Sequence, residues 1–173
     1  MLLASLGISL GVLLALAPPC PAQAAGHTGV QVERFHWESD RLVAVTVRHS
    51  DLGSRGLGAD VAVGLMPIFL PTEVVLPFEA GLAKALRVGP STLVLKAGVA
   101  GLLLGRQLEL IPGSQLGAAV LLPVEQRLEL RTDIIRRRYW SRDSGTLDMG
   151  SIGVGFAVRR PSRPGTTSSP ERP

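Results

Sequence analysis

Three consecutive residues, His49-Ser50-Asp51, carry the side-chain types of a base, a nucleophile and an orienting acid. A triad must converge on one reacting atom, and neighbours in an extended chain point to opposite sides, so these three do not meet in that way. His27 and His36 have no third ligand of suitable geometry near them in sequence, which argues against a metal site. Glu129 and Asp133 share one side of an extended segment, but strand rise separates them by about 13 Å, beyond the usual spacing of a glycosidase pair. Neither the G-x-x-x-x-G-K-[ST] nor the G-x-G-x-x-G phosphate loop occurs. The residues therefore predict no enzyme, no metal and no cofactor.

Any such side chain would be positioned by extended segments, and the clearest is 128–140, L-E-L-R-T-D-I-I-R-R-R-Y-W. As a strand it sets Leu128, Leu130, Thr132 and Ile134 against Glu129, Arg131 and Asp133. The same alternation opposes Val43, Val45 and Val47 to Ala44, Thr46 and Arg48. It opposes Ala59, Val61, Val63 and Leu65 to Asp60, Ala62, Gly64 and Met66. In 76–87, Leu76, Phe78, Ala80 and Leu82 face away from Glu79, Gly81 and Ala83, with Pro77 read as the start of the strand. In 92–104, Leu93, Leu95, Ala97, Val99, Gly101 and Leu103 oppose Lys96, Gly98 and Ala100. Leu116, Ala118, Val120 and Leu122 form another apolar row. The last row, Ile152, Val154, Phe156 and Val158, opposes Ser151, Gly153 and Gly155.

A first strand is predicted over 30–38, but its faces do not sort: Val30 and Val32 share a side with Arg34 and His36, opposite Phe35 and Trp37. A bulge that switches faces would account for this. Turns are read at Ser39-Asp40, 51–58, 67–74, 87–91, 106–114 with Pro112-Gly113, 123–127 and 141–145.

The first 25 residues hold no Asp, Glu, Lys or Arg, and an apolar run ends in Ala17-Pro18-Pro19-Cys20-Pro21 before Ala22-Gln23-Ala24. This reads as a secretory signal peptide, 1–24, cut after Ala24. A permanent anchor would need about 20 apolar residues without prolines. Pro19 before Cys20 argues against lipoprotein acylation. Removing the leader takes the single Cys with it, leaving neither disulfide nor thiol chemistry. The net charge of +4 then belongs to the mature chain. Its arginines gather at 136–138 with Arg142 and at Arg159, Arg160 and Arg163. No basic stripe interleaved with aromatics runs along the chain, so nucleic acid is not an expected partner. Residues 161–173, rich in Pro, Ser, Thr and Arg, read as a disordered tail after a domain at 25–160.

With 46% apolar residues and 20 glycines, about eight long alternating strands predict an all-β, antiparallel, up-and-down transmembrane β-barrel. A sheet in hydrocarbon must close on itself, because unpaired edge amides are costly there. A barrel this narrow has a lumen filled by side chains. Small residues and a charge network of Arg48, Asp60, Glu79, Lys96, Glu129, Arg131 and Asp133 are expected inside, as a structural device rather than a proton or ion path. The alternative is a soluble exported barrel of lipocalin type, which would put Leu93, Leu95 and Val99 inside and Lys96, Glu129, Arg131 and Asp133 outside.

Leader, strand count and the G-x-G-F-x-V ending resemble the small outer-membrane β-barrel proteins of Gram-negative bacteria. Ser151, Gly153, Phe156 and Val158 occupy the places of that class's assembly signal, although such barrels usually end on a terminal Phe and this chain continues to Pro173. The resemblance implies insertion by the barrel-assembly machinery, a cell outer-membrane address, and contact with outer-membrane lipid and lipopolysaccharide. Short periplasmic turns and longer outer loops are expected with it. On that orientation Trp37, Phe69, Tyr139 and Trp140 fall near the outer rim, and Arg136, Arg137, Arg138 and Arg142 lie beside them, placed to meet lipid A phosphates. A surface partner stays open. Some small outer-membrane barrels resemble lipid A deacylases or acyltransferases, but the deacylase pattern spaces His and Ser by one residue, which His49 and Ser50 do not do.

Overall fold

The structure, a computed structural model, describes residues 25–37, 40–68, 73–105, 109–142 and 145–161. The expected signal peptide at 1–24, Phe69, and residues 162–173 of the expected tail lie outside these. Eight strands follow one another: β1 (Ala25–Trp37), β2 (Asp40–Leu52), β3 (Leu57–Ile68), β4 (Glu73–Val88), β5 (Ser91–Leu104), β6 (Glu109–Pro123), β7 (Leu128–Ser141) and β8 (Gly145–Pro161). Each pairs antiparallel with its sequence neighbours, and β8 pairs with β1 from Ala25↔Pro161 to His36↔Gly150, closing the barrel. No edge strand is left to expose unpaired amides.

Strict alternation forms these strands, and it decides which side faces in. Val61, Val63, Val99 and Ile134 are 44%, 54%, 60% and 62% exposed, whereas Arg48, Asp60, Lys96 and Asp133 are 0–1% exposed. The charges are inside and the branched apolar rows outside, the reverse of what the lipocalin-type alternative requires.

Three local expectations are corrected. β1 contains no face-switching bulge: its register runs unbroken against both β2 and β8. Gln31, Glu33 and Phe35 point inward, and Arg34 and His36 point outward. The odd residue mixture arises because an aromatic ring packs in the lumen while Arg34 and His36 sit on the wall near the end opposite Ala25. Pro77 lies inside β4 rather than at its start, and Pro112-Gly113 lie inside β6 rather than in a loop. Pro77 has no N–H to give, and the β3–β4 pairing lapses between Val63↔Phe78 and Met66↔Val75, where Pro77 faces Gly64. Finally, connections between strands are two to four residues long at both ends, so short turns are not confined to one end. Gly89, at φ 60°, takes the left-handed conformation that the two-residue turn between β4 and β5 needs.

The lumen is stacked in layers. Near the end that holds Ala25 and Pro161, Leu52, Ala83, Ala85, Val94, Ala119 and Leu121 form an apolar plate. Toward the opposite end Phe35, Ala44, Met66, Val75, Ala100, Leu102, Ile111, Tyr139 and Met149 form a second one. Most of the buried charges, Glu33, Arg48, Asp60, Glu79, Lys96, Arg131, Asp133 and Arg137, occupy the space between. The outer apolar wall is uneven. On β5 it runs from Leu93 to Leu103, but on β1 only Val30 and Val32 stand between Thr28 and Arg34.

Candidate lumen charge network and rim

Charged side chains reach the middle of the lumen because each occupies an inward position on its strand, Arg48 on β2, Asp60 on β3, Glu79 on β4, Lys96 on β5, and Arg131 and Asp133 both on β7. Arg48 of β2 donates through its two terminal nitrogens to Asp60 Oδ1 at 2.5 Å and Glu79 Oε2 at 2.7 Å. Lys96 of β5 pairs with Asp133 of β7. Arg131 donates from Nε to Asp133 Oδ2 at 2.7 Å, and from its two terminal nitrogens to Ser50 Oγ at 2.9 Å and to Asp60 Oδ2 at 3.2 Å. Ser50 in turn donates to the same Asp60 oxygen at 2.5 Å. Six of the seven residues proposed from sequence thus meet in one network.

Glu129 stands apart from it. Its Oε2 lies 2.6 Å from His27 Nδ1, beyond the first apolar plate, where Thr92 and Arg159 also line a cavity of about 140 Å³ at the barrel mouth.

Sequence reasoning missed the second half of the network. Arg137 of β7, fully buried, donates to Glu33 Oε1 at 2.5 Å and to Ser151 Oγ at 2.5 Å, and also pairs with Glu79. Ser151 donates to Glu33 Oε1 at 2.5 Å, and Thr46 to Glu33 Oε2 at 3.2 Å. The Arg137 ring neighbour is Phe35, 4.7 Å from guanidinium carbon to ring centroid, a cation–π contact. Arg137 was legible by parity, since it sits on the same face as Arg131 and Asp133, but a run of three arginines reads as a solvated rim. Glu33 was hidden by the supposed bulge in β1.

The network holds four cations, Arg48, Lys96, Arg131 and Arg137, and four carboxylates, Glu33, Asp60, Glu79 and Asp133. It is formally neutral, which removes the largest cost of burying charge. Removing any one partner would expose that cost.

Close approach of strands makes the room. A Cβ on Gly98 would fall 2.4 Å from Gly81 Cα and 2.2 Å from the Ala80 carbonyl oxygen, so neither β4 nor β5 can carry a side chain there without the strands parting. Gly113 plays a similar part: a Cβ would come within 2.6 Å of the Tyr139 ring.

At the rim the expected residues divide. Arg136 projects outward and is exposed, Arg138 grips Asp148 through Nε at 2.9 Å and a terminal nitrogen at 2.7 Å, and Arg136 stands 3.7 Å from the same carboxylate. Trp140 is 49% exposed and Arg142 is exposed in the turn after β7. Tyr139 is corrected: it is fully buried in the second apolar plate, because it lies one position from Trp140 and so on the opposite face. Arg137 is likewise inside rather than beside the rim arginines. Trp37 ends β1, opposite Asp40.

In the closing strand Ser151 and Gly153 face the lumen, and Phe156 and Val158 face outward at 56% and 46% exposure. His49 and Asp51 are exposed on the outer face, with Thr28 Oγ1 2.8 Å from His49 Nδ1, while Ser50 is buried in the lumen. The three side chains diverge.

No family model and no curated protein matches this sequence. Solved structures do match in fold. Neisserial surface protein A superposes with a TM-score of 0.59 at 10% identity, over 79% of this chain and 97% of that one. The outer membrane protein OprG from Pseudomonas aeruginosa gives 0.58 at 7% identity, over 82% and 98%. A de novo designed transmembrane β-barrel gives 0.51 at 19% identity, over 79% and 96%. The chain has the closed, eight-stranded antiparallel fold shared by small bacterial outer-membrane barrels.

Proposed function

We propose that this protein is a small outer-membrane β-barrel with a structural or surface-interaction role and a lumen closed by its own side chains. The observation that carries the reading is the inverted wall, with valine and leucine rows outside and a neutral set of eight paired charges within. Water would leave those rows unburied, whereas hydrocarbon accommodates them and the closed sheet satisfies every strand edge. The leader serves export, and the β8 pattern of Ser151, Gly153, Phe156 and Val158 serves recognition by the barrel-assembly machinery. The outer rim, with Arg136, Arg138, Trp140 and Arg142, faces lipopolysaccharide or a surface partner.

The test is fractionation of expressing cells combined with gel mobility before and after heating. The expected result is recovery in the outer-membrane fraction and a compact band that shifts only on boiling. Recovery in the soluble periplasm without detergent would defeat the reading.

A further inference from the structure

The outward cations are concentrated where the apolar wall is shortest. Register sets Arg136 of β7 opposite Gly150 of β8, Gly150 opposite His36 of β1, and His36 opposite Arg41 of β2. Arg34 lies two residues from His36 on the same face, opposite Ile152. All five of these row residues, Arg34, His36, Arg41, Arg136 and Gly150, are exposed. Adjacent strands are about 4.8 Å apart, so the row spans roughly 15 Å from Arg136 to Arg41. Asp148, the neighbouring carboxylate, is held by Arg138 through two hydrogen bonds and stands 3.7 Å from Arg136. Among the described residues, Arg34, His36 and Arg41 have no ion-pair partner.

At the centre of the row is an open seat. A Cβ built on Gly150 would meet nothing within 4 Å. Immediately toward the barrel's middle, on the same strands, the wall becomes apolar with Ile134, Ile152 and Val43. Unpaired guanidinium groups bordering hydrocarbon are costly unless they reach an anion, and guanidinium suits phosphate through paired hydrogen bonds.

We propose that this row seats the phosphate of a membrane lipid headgroup over Gly150, with the acyl chains of that lipid lying along Ile134, Ile152 and Val43. The continuity of cations and apolar side chains on the same strands favours a phosphate carried on a lipid over a free one. The proposal rests on the membrane reading above.

The experiment uses the full chain in a neutral detergent, with diphosphoryl lipid A as the probe and retained lipid counted by native mass spectrometry. The wild type retains the lipid. An Arg34→Gln/Arg41→Gln/Arg136→Gln variant retains it about ten-fold less, the loss expected when charge-assisted contacts to phosphate are removed. Gly150→Glu, which adds a carboxylate into open space, gives the same loss while keeping heat-modifiable mobility, and so covers the case in which the triple variant fails to fold. Chemically dephosphorylated lipid A binds wild type no better than the variant does.

Equal retention by wild type and Gly150→Glu overturns the proposal. So does an equal loss in an Arg55→Gln/Arg87→Gln/Arg127→Gln variant at the opposite end, which would mean that bulk charge is being read. Displacement of the lipid by an equal concentration of inorganic phosphate overturns the choice of a lipid source. Wild type found in the soluble periplasm strikes the membrane reading, whereas lost selectivity in a protein that still fractionates with membranes strikes this inference alone.

Discussion

The guanidinium of Arg137 donates to the carboxylate of Glu33 at 2.5 Å, joining side chains 104 residues apart in sequence across the interior of the barrel. The same group pairs with Glu79 on β4 and donates to Ser151 on β8, so one arginine ties β7 to three other strands. Arg137→Met leaves two buried carboxylates short of a partner, and breaking a buried pair in this way costs about 3–5 kcal/mol. Urea titration of the folded band in detergent micelles should show that loss. Adding Glu79→Gln to Arg137→Met should recover part of it, because the two residues are directly coupled; strict additivity would mean that the pairing contributes nothing.

The two apolar plates predict that the pore does not conduct. Leu121 and Val94 close one side of the charge network, and Phe35, Met66 and Tyr139 close the other, all at most 1% exposed. Planar-bilayer recordings of the reconstituted protein should show no discrete current steps. Regular steps in wild type would mean that the plates part in a bilayer.

Val99 tests which solvent the wall meets. It is 60% exposed in the middle of the β5 apolar row. Val99→Arg should weaken folding into lipid vesicles by about 2–4 kcal/mol, the cost of an arginine near the bilayer midplane. Val124→Arg, in the exposed connection between β6 and β7, should change it by less than about 0.5 kcal/mol. If Val99→Arg were equally silent, the row would be facing water.

Gly98→Val should abolish the compact unheated band. The first added carbon already collides with the backbone of β4, at Gly81 and at the Ala80 carbonyl, and backbone cannot swing aside as a flexible side chain does. Gly150→Ala, in a strand of the same barrel but with open space at Cβ, should leave the band in place.

Much of the architecture could be read from the chain because period-two alternation settles both the strand and the side it presents. Seven of the eight strands carried it cleanly, and the positions of Arg48, Asp60, Lys96 and Asp133 followed directly. β1 did not, since Phe35 packs inside while Arg34 and His36 stand outside; residue type and position disagree there, and the register with β2 and β8 resolves it. Tyr139 and Arg137 were misplaced for a related reason. Grouping 136–140 by composition, as a basic aromatic rim, overrides the alternation that separates neighbours. Pro77 was read as a strand start and Pro112 as part of a loop, yet a wall strand tolerates a proline in its interior where ladder bonding is forgone. Sequence reasoning could not show which lumen carboxylate each arginine would choose, because that depends on how the closed sheet brings distant strands across from one another.

The uneven height of the apolar wall has a mechanical consequence. A bilayer of uniform thickness cannot match both Val30-Val32 on β1 and the row from Leu93 to Leu103 on β5 if the cylinder stands upright. Mismatch of this kind is relieved by leaning or by local thinning of the lipid, at a fraction of a kcal/mol per ångström. The barrel is therefore expected to sit inclined, or to pinch the leaflets along its β1 side.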